Sequence, residues 1–191
     1  MPGSIHSKRR LELFNSFPVS IQNNEIGKRV FKRIEDSFYD KNIGSSMLDF
    51  GNVEVYDIDG NKKLWKDLFV KTTEYKIIVF GASWCSPCLI QERSLKKYYT
   101  SIDSSKIEIV GISIDNSVNK FAAYLQRENF PWNAYRVDGE AENPIMKKLD
   151  FTGIPRNFLV DSNGKIVKED LNILEILKFL KIELKAIDVR S

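Results

Sequence analysis

Ile77-Ile78-Val79-Phe80-Gly81-Ala82-Ser83-Trp84-Cys85-Ser86-Pro87-Cys88 joins a continuous apolar run to a pair of thiols, and the reading of this stretch decides the fold. The four apolar residues at its start predict a strand covered on both faces. Cys85 and Cys88 are the only cysteines in the chain. Two thiols two residues apart, at the junction of a buried strand and a helix, mark a reversible dithiol/disulfide site. In the first turn of a helix their sulfurs lie close enough to bond. The leading sulfur sits at the positive end of that helix, among backbone N–H groups with no intrahelical partner. Such a setting favours thiolate and typically lowers a thiol pKa from about 8.5 to roughly 3.5–7.5. Cys85 is therefore the expected nucleophile. Cys88, one turn deeper, is expected to attack the mixed disulfide that Cys85 forms with a substrate, leaving the internal bridge. Pro87 stiffens the turn and has no N–H to lose there. Trp84 offers a flat surface beside the sulfur, as a shield or contact face.

The blander readings of the pair are weaker. A zinc site needs two further ligands, and beyond the pair the chain has one histidine, His6, in the N-terminal segment. His6 is read as an exposed tail residue, and neither a metal nor a cofactor is expected. A purely structural bridge closing so short a loop would constrain little of the unfolded chain. At 191 residues the protein can bury a core without crosslinks.

Composition narrows the partners. With 29 basic and 26 acidic residues, no strong field is available to gather nucleic acid or a membrane surface. Lys8-Arg9-Arg10 is a short, isolated basic run, read as solvated. No stretch approaches the ~18 apolar residues of a membrane span. The first seven residues lack the apolar core of a secretory signal, so no export label is expected in the chain itself.

The texture changes along the chain. Residues 1–45 are polar, with one amphipathic helix predicted over Glu25 to Tyr39, where Ile26, Val30, Ile34 and Phe38 form a narrow stripe. Packing on the following domain is its expected use, with partner binding the alternative. Ile43-Gly44-Ser45-Ser46 reads as a linker to a domain over residues 46–191. Val53 to Ile58 alternates and Asp59-Gly60-Asn61 supplies a tight turn, which predicts a hairpin toward Leu64 and Trp65. After the cysteines, Leu89 to Tyr99 reads as helix with Leu95, Tyr98 and Tyr99 inward, Ile107 to Ile114 as a second central strand, and Val118 to Glu128 as helix. This order predicts a right-handed crossover with a parallel sheet core. Pro131-Trp132 opens an extended piece to Val137, and Asn143 to Leu149 reads as a short helix with Pro144 in its first turn. Asn157 to Asp161 and Lys165 to Val167 flank Ser162-Asn163-Gly164 as an antiparallel hairpin, and Leu171 to Ile187 closes the chain as a helix with Leu174, Leu177 and Leu180 inward.

Trp84-Cys85-Ser86-Pro87-Cys88 after a strand, with Gly153-Ile154-Pro155 and Asn157-Phe158-Leu159-Val160-Asp161 far downstream, resembles the thioredoxin fold. The leading hairpin at Asp57-Ile58-Asp59-Gly60-Asn61, the run Val110 to Asp115, the inserted helix before Phe130-Pro131-Trp132 and the hairpin Asp161 to Val167 make it similar to the bacterial extracytoplasmic thioredoxins of the TlpA/ResA type. The resemblance covers about Asp49 to Val167. It implies an α/β, three-layer thioredoxin-like fold with an N-terminal β-hairpin, an inserted helix and a central mixed sheet. It implies a cis peptide bond before Pro155, which would face the active-site disulfide, with Ile154 offering its backbone to an extended substrate. It also implies protein thiol/disulfide substrates, a membrane-bound electron donor and a reductant's role outside the cytoplasm of a bacterium. Residues 1–45 would then be the remnant of a larger N-terminal region.

The sequence departs from this family at three positions. A buried Asp six positions before the first Cys, the usual aid to deprotonating the second, is replaced by Val79. A Glu three positions after the second Cys is replaced by Gln91, followed by Glu92. Glu92 is the candidate proton acceptor for Cys88, with a solvent-facing position as the alternative. Arg156 replaces the usual Thr after the proline, either placing positive charge near Cys85 or lining the substrate groove. Two other functions remain in view: a thiol peroxidase, against which Ala82 stands where such enzymes keep a Thr, and a non-catalytic partner-binding module.

Overall fold

The computed structural model describes residues 5–36, 42–71, 73–138, 142–150 and 153–179. It divides into two compact units, Met1–Lys41 and Asn42–Ser191.

Among its described residues the first unit contains three helices where the sequence predicts one: α1 (Ile5–Asn15), α2 (Val19–Gln22) and α3 (Glu25–Asp36). The segment bearing His6 and Lys8-Arg9-Arg10 is thus helical and not a tail. Asn24 caps α3, its Oδ1 accepting from the Gly27 N–H at 2.7 Å. The predicted apolar stripe faces inward only in part: Ile34 is buried, whereas Ile26 and Val30 are exposed. α3 also sets Gly27 against the end of α2, and the partly exposed Phe31 touches Phe14 of α1, with ring centroids 5.5 Å apart. Phe38 lies outside the described residues.

The second unit is built on a seven-stranded mixed sheet of order β2-β1-β5-β4-β3-β6-β7. Its strands are β1 (Glu54–Tyr56), β2 (Lys62–Leu64), β3 (Tyr75–Gly81), β4 (Ile107–Ser113), β5 (Asn133–Arg136), β6 (Arg156–Asp161) and β7 (Ile166–Glu169). β3, β4 and β5 run parallel, as the predicted crossover requires, and β6 returns antiparallel to β3. Both hairpin turns use the same chemistry. Asp57 Oδ1 accepts from the Asp59 and Asn61 N–H groups, and Asp161 Oδ1 from those of Asn163 and Lys165, with Gly60 and Gly164 at positive φ.

The central strands are apolar on both faces because both are covered. Ile78, Phe80, Val110, Ile112, Phe158 and Val160 pack with Met47, Phe50 and Trp65 and with Ile145 and Met146 of α6 (Pro144–Lys148). Ile77, Val79, Ile109 and Leu159 pack on the other face with Leu95 of α4 (Ser86–Tyr98), Trp132 and Ile176 of α7 (Ile173–Phe179). α5 (Val118–Glu128) ends at Asn129, which takes the left-handed conformation of a helix stop.

Two further expectations are corrected. Ile43-Gly44-Ser45-Ser46 is not a free linker: the Gly44 N–H donates to Ile166 O, the Ile166 N–H to Ser45 O, and Ser46 bridges Lys165. In α7 the inward residues are Ile176 and Leu177, whereas Leu174 is exposed. Leu180 and the predicted helix beyond it lie outside the described residues.

Candidate redox site

The site is assembled where β3 ends. Cys85 occupies the N-cap of α4, and the Cys88 N–H donates to its Sγ at 3.2 Å. An N-cap residue normally accepts that N–H through a side-chain oxygen. Here sulfur takes the place, at the positive end of a 13-residue helix. Ser86 and Pro87 form the first helical positions, where the proline's missing N–H would have had no partner. Cys85 and Cys88 are joined as a disulfide with their Cα atoms 5.3 Å apart. Cys88 is fully buried, Cys85 is 6% exposed, and Trp84 beside them is 64% exposed.

The turn before the motif is held by a residue that sequence reasoning gave no role. Asp115, just past β4 and buried, accepts from the Ser83 N–H at 2.9 Å, the Ser83 hydroxyl at 2.7 Å and the Ser113 hydroxyl at 2.8 Å. Arg136 Nη1 donates to the Asp115 carbonyl. The loop carrying Trp84 and Cys85 is thereby tied to the end of the neighbouring parallel strand.

The bond between Ile154 and Pro155 is cis. β6 pairs with β3 so that Arg156 lies opposite Phe80, and Ile154 packs on the apolar cluster that contains both cysteines. Pro155 therefore stands at the sheet end that carries the motif. Arg156, in contrast, is spoken for. Its Nη2 donates to Glu169 and its Nε to Asp170, at 2.8 and 2.7 Å, and the guanidinium lies over the Phe158 ring. Its charge is directed to the end of β7.

Glu92 is buried, at 5% exposure, and does not face solvent. Gly81 explains how it fits. A Cβ built on Gly81 would lie 3.2 Å from Cys88 Cβ, 3.7 Å from Cys88 Sγ and 3.6 Å from Glu92 Oε2. The glycine leaves room for the buried thiol and the carboxyl to approach the strand together. The Tyr124 hydroxyl of α5 donates to Glu92 Oε2. Burial pushes the Glu92 pKa up to about 7, the Tyr124 hydrogen bond opposes that rise, and the charges of Glu128 and Asp115 add to it. Val79, where the family keeps its acid, is fully buried among apolar residues. Gln91 is half-buried, and its Oε1 has no hydrogen-bond partner. Tyr124 went unassigned although the Phe121/Tyr124/Glu128 spacing marks the inward face of α5. Among the described residues no cluster of His, Cys, Asp and Glu could hold a metal ion.

A thioredoxin-like family model matches residues 72–166, spanning β3 to the start of β7 with both cysteines and Pro155. The stretch from β3 to the start of β7 is thioredoxin-like. Probable nucleoredoxin 1 of Arabidopsis thaliana is 33% identical over 96 residues, 49% of this chain and 16% of that protein. The thiol:disulfide interchange protein HelX of Rhodobacter capsulatus is 24% identical over 56% of this chain and 58% of its own length. Thiol-disulfide oxidoreductase ResA of Bacillus subtilis is 25% identical over 63% and 64%. The match thus spans less than two thirds of each of these relatives. The thioredoxin domain of a thiol-disulfide oxidoreductase from Bacteroides vulgatus shares the fold with a TM-score of 0.61 at 24% identity, over 72% of this chain and 97% of that one. Within the matched stretch lie the cis bond before Pro155, the Cys85 that caps α4 and the buried Glu92 of α4.

Proposed function

We propose that this chain is a thiol–disulfide oxidoreductase that reduces protein disulfides through Cys85 and Cys88. The observation that carries the reading is the sulfur of Cys85 standing as N-cap of α4 and accepting the Cys88 N–H. In the reduced protein the same N–H and the helix dipole stabilise a Cys85 thiolate. That thiolate attacks one sulfur of a substrate disulfide, the substrate S–S bond breaks, and the departing thiolate takes a proton from solvent. Cys85 is then in mixed disulfide with the substrate. Cys88 gives its proton to Glu92 and its thiolate attacks the Cys85 sulfur, forming the internal bridge and expelling the second substrate sulfur as a thiolate, which takes a proton from solvent. Two electrons pass from the dithiol to the substrate. Ile154 packs on the cluster that holds both cysteines, and with Pro155 it would offer the backbone edge along which a substrate strand lies.

Trp84 supplies an exposed contact face beside the disulfide, and Pro87 fixes the turn. Arg156 acts by anchoring the cis-proline segment to Glu169 and Asp170 and not as a charge at Cys85. The same reading puts the protein outside the cytoplasm of a bacterium, recharged by a membrane-bound dithiol donor; its support is the resemblance to the extracytoplasmic group. No helix among the described residues is long and apolar enough to cross a membrane. The test is insulin reduction driven by dithiothreitol. Wild type is expected to accelerate it, Cys85→Ser to abolish the acceleration, and Cys88→Ser to accumulate a mixed disulfide. Equal inactivity of wild type and Cys85→Ser would overturn the proposal.

A further inference from the structure

Beside the disulfide, Glu92 and Tyr124 form a buried pair of titratable groups. They come from adjacent helices, both are buried, and the Tyr124 hydroxyl donates to Glu92 Oε2. The same carboxylate oxygen borders the space above Gly81 that Cys88 Sγ also borders. We propose that Tyr124 is a positioning residue of the redox site: its hydroxyl holds the Glu92 carboxyl on the Cys88 side of the disulfide, so that the acid receiving the Cys88 proton is fixed by α5.

The geometry leaves this job to few other groups. Glu92 faces Cys88 on its own helix, Tyr124 and Glu128 from α5 and Asp115 from the end of β4. Glu128 is occupied by Arg93 and Arg127, and Asp115 by Ser83 and Ser113. Tyr124 is itself seated by ring contacts, with Phe130 at 5.7 Å and the Arg127 guanidinium at 5.5 Å. A Tyr124→Phe change therefore removes the donor and keeps the packing.

The inference rests on the proposed disulfide exchange and is tested on a property of the whole chain that needs no protein substrate. The dithiol/disulfide equilibrium of wild type, Tyr124→Phe, Glu92→Gln and the double variant is measured against dithiothreitol from pH 5.5 to 9. Wild type is expected to show a break in the pH dependence where the buried acid ionises, and Glu92→Gln to lose it. Because the hydroxyl bond favours the ionised carboxyl, Tyr124→Phe is expected to move the break upward by about one pH unit. The double variant is expected to match Glu92→Gln alone. A break unmoved by Tyr124→Phe overturns the inference, as does an absent break or a Tyr124→Phe effect that persists in the Glu92→Gln background. A protein that fails to equilibrate with dithiothreitol overturns the redox function and this inference with it.

Discussion

Glu92 is the residue whose environment says most about its chemistry. It sits on an otherwise ordinary helix, yet burial holds its proton to about pH 7. An acid that changes state near neutrality is suited to receive the Cys88 proton and return it. The same shift has a consequence for stability. The folded protein binds the Glu92 proton more tightly than the unfolded chain does, so the contribution is full below about pH 4.5 and is lost as pH rises through about 7. Glu92→Gln cannot ionise. In the oxidised state wild type is expected to lose about 3 kcal/mol relative to Glu92→Gln between pH 4.5 and 8, read by urea unfolding. Parallel pH profiles for the two proteins would contradict the burial argument. Sequence alone left this residue between two readings, because helical spacing from Cys88 gives a direction only after α5 is known to cover that side.

At the scale of elements, the site is a meeting of β3, the end of β4, the first turn of α4 and the start of β6. The strand-to-helix junction was legible because all its determinants are local: an apolar run, a capping position and a proline in the first turn. Asp115 was not, since its role depends on parallel pairing that sets Ser113 of β4 opposite Gly81 of β3. Only then does a carboxylate 32 residues downstream in sequence reach Ser83. Asp115→Ala removes three accepted hydrogen bonds and leaves the Ser83 N–H without its partner. It is expected to destabilise the protein by about 3 kcal/mol in urea unfolding and to slow insulin reduction. A change under about 0.5 kcal/mol, ordinary for a surface position, would show that the turn is held by other means. Arg156 teaches the same lesson in reverse. Its charge suggested Cys85 only while Glu169 and Asp170 were unseen.

Over the whole molecule, the pattern that fixed the fold is the double coverage of β3, β4 and β6. Their alternating residues fill two separate apolar clusters, one with Trp65 and one with Leu95 and Trp132. That much follows from periodicity, and so do the two hairpins with their Asp and Gly turns. The first unit was harder to read because α1 is rich in charged residues, α2 is a single four-residue turn, and α3 buries Ile34 of its regular stripe while leaving Ile26 and Val30 exposed and setting Gly27 against α2. The cis bond before Pro155 came from the resemblance, and the structure contains it. Within the second unit, the strands and α4 converge on one chemical asymmetry, a Cys85 sulfur at the helix N-terminus and a Cys88 sulfur buried beneath it. The direct test is alkylation of the reduced full chain with limiting iodoacetamide at pH 6.5, followed by peptide mass analysis. The account predicts that Cys85 is modified first and Cys88 stays free; preferential modification of Cys88, or equal modification of both, would contradict it.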